Sequence, residues 1–375
     1  MINQINSHYS LTQQKSALNK LRLDPLLAGL LLITTLTGLA ILFSASSGHH
    51  AMVGRQLARL LASVIIMMLF AQIPPHKYRV WAPYLFSIGI ALLIAVLLIG
   101  KIGKGAQRWL DLGLFRFQPS EIMKIIVPLM LSWYFSQFSL PANIKKIAIA
   151  SIIILLPGLL IAKQPDLGTA LMVMFSGCVV IFFAGISYRL IFSFIGLCSL
   201  AAPFLWHMMH EYQKLRVLNF LDPERDPLGS GYHIIQSKIA LGSGGLFGKG
   251  YLNGTQSHLH FLPEHATDFI FAVLGEELGL VGCLALIVLF CLIIFRALQI
   301  AYYSNDTFSK LLTISLTMNF FLSAFVNMGM VTGILPVVGI PLPLVSYGGS
   351  SMLGLFASFG MIMSVYSYHR AKLPI

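Results

Sequence analysis

Charge is scarce in this sequence. Of 375 residues, 10% are Asp, Glu, Lys or Arg and 57% are hydrophobic, where a soluble protein carries about 25% and 45–50%. That deficit excludes a disordered chain, a nucleic-acid-binding array and an ordinary soluble enzyme. Acids are scarcer than bases, 13 against 25, for a formal net charge of +12. In so apolar a chain the excess marks which loops face the cytoplasm, and nucleic acid is not expected as a partner. Cysteine is nearly missing: Cys178, Cys198, Cys283 and Cys291 lie inside apolar runs, with no CxxC pair. They read as small buried hydrophobes and give no support to a disulfide or thiolate-metal framework. From 311 to 368 there is neither a charged residue nor a histidine.

What is abundant is long apolar sequence, with a mean hydropathy of +0.81. Runs between charges and Pro/Gly breaks give ten candidate spans: 25–44, 57–73, 82–100, 121–136, 147–163, 166–184, 190–209, 269–298, 311–330 and 347–367. A helix needs about 20 such residues to cross a bilayer. The first run follows a polar tail with Lys15, Lys20 and Arg22 and has no small-residue cleavage site, so it reads as a retained span. The expected fold is an all-α integral membrane protein. It is a single polytopic bundle of ten transmembrane helices over 1–375, with an N-terminal tail at 1–24 and a large loop at 210–268 between spans seven and eight.

An even count places both termini on one side, and basic residues choose the side. With the N-terminus inside, twelve Lys and Arg fall on inner segments and seven on short outer loops, which favours cytoplasmic termini. Of the 13 acids, Asp24 and Asp306 are inner, and the other eleven lie in outer loops or within spans. The loops with unusual chemistry, 101–120, 163–166, 210–268 and 331–346, are all outer. The working face is therefore expected outside the cytoplasm.

Segment 101–124, KIGKGAQRWLDLGLFRFQPSEIMK, puts four basic residues on a surface where topology disfavours them. An anionic lipid phosphate would account for Arg108 and its neighbours; an interfacial loop anchored by Trp109, Phe115 and Phe117 would as well. Lys124 lies about one turn into the fourth span, where a helix dipole disfavours a cation, and charge within a span is functional by default. Glu121 is its natural partner at i−3. Asp166, directly after Pro165 in QPDLGTAL, reads first as an N-cap carboxylate and second as a cavity-lining group.

The 219–269 loop mixes amphipathic pieces with glycine turns. GSGGLFGKG at 242–250 fails the P-loop spacing at both ends, with Ser243 and Gly250 in the defining positions. Lys249 within it could still reach an anionic ligand. His258, His260 and His265, with Glu264 and Asp268, follow no tight ligand spacing, so no protein-ligated metal is expected. A divalent cation, magnesium or manganese, held jointly by a carboxylate and substrate phosphates stays open. Asp268 sits where the loop becomes the eighth span, with Glu264 four residues before it and Glu276 and Glu277 two turns after. It reads equally as a helix cap and as a general base at the membrane surface. In GILPVVGIPLPLVSYGGSS, 333–351, three prolines and two glycines break the helix, so this segment is expected to fold back and wall a polar cavity.

Four segments in this order, QPSEIMK, QPDLGTAL, FLPEHATDFIFAVLGEELG and GIPLPLVSYGGSS, resemble the RodA/FtsW/SpoVE or SEDS family over nearly the whole chain. The short N-terminal tail and compact C-terminus are most like its RodA, cell-elongation branch. The resemblance implies a peptidoglycan glycosyltransferase of the bacterial cytoplasmic (inner) membrane that polymerises lipid II, the undecaprenyl-pyrophosphate-linked muropeptide, outside the cytoplasm. It implies a class B penicillin-binding protein and the cell-shape machinery as partners. It also implies that Asp268 is the essential carboxylate and that Glu121 and Lys124 belong to the site. An inverting transfer needs one base, Asp268, for the acceptor hydroxyl; the leaving pyrophosphate needs positive charge from Lys124, Arg108, Lys249 or a divalent ion. A lipid II flippase is the competing reading, against which stand the absence of an inverted repeat and the one-sided acids.

Overall fold

The computed structural model describes all residues except 1–21, 47–49, 104–105, 112–115, 209–210, 224–229, 256–263 and 371–375. A helix lies over each of the ten apolar runs. They are α1 (Pro25–Ala45), α2 (His50–Gln72), α3 (Pro75–Ile99), α4 (Pro119–Phe135), α5 (Ile144–Lys163), α6 (Leu167–Phe183) and α7 (Tyr188–Met208), then α10 (Ile270–Tyr302), α11 (Thr307–Thr332) and α12 (Ser350–Arg370). Seven of them, α1, α2, α3, α5, α10, α11 and α12, are long and apolar enough to cross a membrane. Between α7 and α10 the loop contains α8 (Glu211–Leu221) and α9 (Ser230–Ser243).

The all-α expectation needs one correction. Between α3 and α4 the chain forms a small antiparallel sheet, β1 (Lys101–Gly103), β2 (Ala106–Asp111) and β3 (Arg116–Phe117), in the order β1-β2-β3. A loop at the bilayer surface still has to satisfy its backbone amides, and hairpin pairing does so without a helix.

Helix ends follow local chemistry. Asp24 caps α1, Asn143 caps α5, Asp166 caps α6 and Asp306 caps α11 through side-chain bonds to backbone amides, the arrangement that satisfies orphan N–H groups. Two helices begin well before their apolar runs. α2 starts at His50 and α3 at Pro75, because Arg55, Arg59, Lys77 and Arg79 are good helix formers whose charged heads can stay in the polar zone.

α11 is the hub, packing against α10, α4, α6, α9 and α12, while α12 lies along α2. Two apolar cores result. The larger joins α1, α2, α10, α11 and α12; the smaller joins α4, α5 and α6. At the α12–α2 contact, a Cβ on Gly360 would stand 2.6 Å from the Met67 carbonyl.

α10 is broken near its start. Gly279 has φ 65° and ψ −162°, a conformation essentially confined to glycine. The glycine turn at 244–250 docks there: Lys249 and Gly250 donate their N–H groups to the Glu276 and Glu277 carbonyls at 3.0 Å each, and Leu280 and Val281 donate to Gly245 and Leu246 at 3.0 and 3.1 Å. Irregular backbone is thus buried against protein, as membrane depth requires.

Candidate active site

Helices α4, α11 and α12 and the segment 333–349 meet around a polar cavity. Glu121 and Lys124 line it from α4, Asn319 and Ser323 from α11, and Ser351 and Ser358 from α12; its other wall is the proline segment 340–344 with Ser346. Lys124 Nζ lies 2.7 Å from Glu121 Oε1, with the two side chains 14% and 15% exposed. Pro119 opens α4 and Glu121 stands in its first turn, so the helix dipole favours the acid and not the cation beside it. An ammonium in that position is available to a further anion that competes with Glu121.

Asp268 stands beside the same segment, at Gly339. It is not among the residues lining the cavity; instead a Cβ on Gly339 would lie 3.5 Å from Asp268 Oδ2. Neither Thr267 nor Asp268 caps α10. The cap position is Phe269, with no side-chain bond. The main chain here is fastened from three sides. The fully buried Asn327 donates from Nδ2 to the Asp268 and Ile340 carbonyls at 2.8 and 2.7 Å. Ser346 Oγ donates to the Thr267 carbonyl at 2.5 Å, and Tyr347 N–H donates to the Ala266 carbonyl at 2.9 Å. These bonds tie the turn carrying Asp268 to the segment that walls the cavity, which gives both one rigid reference frame.

Glu264 sits four residues earlier at φ 52° and accepts from Thr267 Oγ1 at 2.8 Å on its carboxylate. Its carboxylate is engaged in the local turn. His233 of α9 stacks on Phe269, with ring centroids 5.9 Å apart at 12°. Burial lowers its pKa below the ordinary value, opposed in part by the nearby Glu264 carboxylate, so at neutral pH it is an uncharged aromatic lid over the turn.

Three residues expected at the site are occupied elsewhere. Asp166 accepts from Thr169 N–H at 3.3 Å and from Gln118 Nε2 at 3.0 Å. Arg108 lies 3.8 Å from Asp166 and donates to the Pro165 carbonyl. Together they clamp β2 to the start of α6, which is the capping reading of Asp166 made stronger. Lys249 pairs with the fully buried Glu276 at 2.6 Å, and Thr255 donates to the same oxygen at 2.9 Å from both N–H and Oγ1. Its charge is spent on holding the glycine turn to the break in α10.

Among the described residues no three His, Cys, Asp or Glu gather as a metal cage; His258 and His260 lie outside them. Sequence reasoning passed over Asn319, Ser323 and Asn327. Their signal was there: polar residues at i, i+4 and i+8 on one face of a helix that carries no charge after Lys310. Gln118 and His233 had no comparable pattern.

The profile of the FtsW, RodA and SpoVE cell cycle proteins matches residues 20–371. The peptidoglycan glycosyltransferase MrdB of Escherichia coli is 51% identical over 358 residues, covering 95% of this chain and 97% of that protein. The peptidoglycan glycosyltransferase RodA of Treponema pallidum is 33% identical, covering 90% and 96%. Among solved structures, a chain of a peptidoglycan synthase complex that coordinates polymerization and crosslinking superposes with a TM-score of 0.81 at 32% identity, covering 93% of this chain and 98% of that one. The rod shape determining protein RodA of Thermus thermophilus gives a TM-score of 0.71 at 27% identity, covering 94% and 98%. With the family profile matching residues 20–371 and the relatives covered over nearly their whole length, the chain belongs to the FtsW/RodA/SpoVE family of cell cycle proteins.

Proposed function

We propose that this protein is a membrane-embedded peptidoglycan glycosyltransferase. It would polymerise lipid II into β-1,4 glycan with release of undecaprenyl pyrophosphate, in cell-wall elongation. The observation that carries the reading is that Asp268 and Lys124 meet the same segment, 339–346: Asn327 holds the Asp268 carbonyl together with that of Ile340, and Lys124 lines the cavity that the segment walls. Asp268 takes the proton of the acceptor 4-hydroxyl as that oxygen attacks the anomeric carbon. The diphosphate departs on the opposite face with inversion, and Lys124, drawn from Glu121, answers its charge. Asp166, Arg108 and Glu264 support this arrangement by fixing backbone, and Lys249 by fixing α10. A magnesium or manganese ion held jointly by a carboxylate and the substrate phosphates would add positive charge at the leaving group.

The reading extends to placement. Ten spans in one transmembrane unit, both termini in the cytoplasm and Asp268 on the outer face of the cytoplasmic membrane agree with the charge distribution and the ten helices. The polyprenyl chain stays in lipid beside the bundle. A class B penicillin-binding protein and the cell-shape machinery are the expected partners, in keeping with the synthase complex that the chain resembles.

Purified protein with fluorescent lipid II in detergent tests this, because no second compartment exists for a flippase to fill. Glycan polymer from wild type that vanishes with Asp268→Ala supports the enzyme. No polymer from wild type, even with its synthase partner, sinks it.

A further inference from the structure

The end of the bundle opposite Asp268 carries a second cavity, which the proposed reaction does not use. α10 starts beside Asp268 and, past its break at Gly279, runs from Leu280 to Tyr302 before the turn that borders this cavity, about 35 Å at 1.5 Å per residue. The cavity measures about 280 Å³, against about 10–15 Å³ for a site that holds one water. His76 and Arg79 line it from the first turns of α3, Ser304 and Asp306 from the α10–α11 turn, and Val365 and Tyr368 from α12.

The polar groups in it are unevenly spent. Among the described residues, the side chains of Arg79 and His76 make no hydrogen bond or ion pair. Ser304 is 6% exposed, and its buried Oγ has no partner there either. Asp306 is half spent. Oδ2 accepts from Ser309 N–H at 3.1 Å and Ser309 Oγ at 3.0 Å, capping α11, while Oδ1 makes no hydrogen bond among the described residues. The Tyr368 hydroxyl already accepts from Arg22. A guanidinium without an acid, a buried hydroxyl without a partner and one free carboxylate oxygen surround a space far larger than a water.

Cationic pockets between helices at a membrane surface take headgroup phosphates, and a guanidinium binds them in a bidentate fork. Asp306 adds a condition. A headgroup with net negative charge would face its carboxylate, whereas one that carries an amine brings a partner for it. We propose that this cavity is a binding site for the headgroup of a zwitterionic aminophospholipid, with the phosphodiester on Arg79, His76 and the Ser304 hydroxyl and the ammonium on Asp306.

The test is native mass spectrometry of the full chain in detergent, after exchange with an equimolar mixture of phosphatidylethanolamine, phosphatidylglycerol and phosphatidylcholine. Wild type should retain one phosphatidylethanolamine. Arg79→Gln should lower that retention roughly tenfold, the loss expected of a charge-assisted contact. Asp306→Asn, which keeps a capping side chain, should retain lipid but move the preference toward phosphatidylglycerol. Lys77→Gln, an exposed neighbour outside the cavity, should match wild type, and all variants should elute as folded protein. Retention unchanged in Arg79→Gln would overturn the proposal, as would an equal loss in Lys77→Gln. So would displacement of the lipid by inorganic phosphate, which would make free phosphate the ligand.

Discussion

Two lysine–glutamate pairs look alike by distance and differ in everything else. Lys124 and Glu121 stand 2.7 Å apart on one helix and line a cavity. Lys249 and Glu276 stand 2.6 Å apart, with Glu276 at 0% exposure, and join a glycine turn to a broken helix. The first pair can lose its partner to a ligand at little cost, because solvent and cavity groups replace it. The second cannot, since a carboxylate without its counter-charge would be left in the core. Proximity to an acid therefore says little about what a lysine does; the fate of the acid once the lysine leaves says more.

The contrast can be broken most severely at Lys249. Lys249→Met should destabilise the fold by about 3–5 kcal/mol, the cost of stranding a buried charge, and Glu276→Gln in the same chain should recover part of it. Thermal unfolding in detergent checks both. Lys124→Ala should behave in the opposite way, unfolding near the wild-type temperature while glycan synthesis falls roughly 10²–10³-fold, as for loss of one charge-stabilising donor. Equal losses of stability in the two variants would erase the distinction.

The docking of the glycine turn gives a third, smaller effect. Gly279→Ala puts a side chain at φ 65° with its Cβ 2.4 Å from Gly248 N, so a loss of at least about 1–3 kcal/mol is expected. Arg108→Ala should cost about 1 kcal/mol, since Asp166 keeps Gln118 and Thr169. If Arg108 clamps backbone and does not meet substrate, its KM for lipid II should stay at the wild-type value. The smallest effect concerns pH. His233 has its pKa lowered by burial from 6.5, so it contributes stability above that value and loses it as pH falls through the depressed folded pKa. His233→Gln should flatten the stability profile below pH 6.5.

The helices were legible because apolar runs of bilayer length have few other outcomes. Their starts were less so: Arg55 and Lys77 interrupt hydropathy without interrupting a helix. The strands at 101–117 were hidden, since short pairings in a charged loop carry no clear alternation. At the site, Glu121 and Lys124 were readable as charge inside a span, and the breaks at 333–349 as the wall of a cavity. For Lys249 and Arg108 the sequence shows a basic residue near a working surface but not the acid that stands beside it. Glu276 lies 27 positions from Lys249 and Asp166 lies 58 from Arg108, separations that only the packed bundle closes. Asn327 escaped notice because it acts through two main-chain carbonyls, which leave no trace in side-chain chemistry.

The central claim is that Asp268 does chemistry from a position the fold fixes for it. The most direct measurement is lipid II binding and glycan synthesis on the same detergent-solubilised Asp268→Asn protein, alongside its unfolding temperature. The account predicts wild-type stability, retained lipid II binding and no glycan. Glycan at the wild-type rate, or binding and stability lost together with activity, would contradict it.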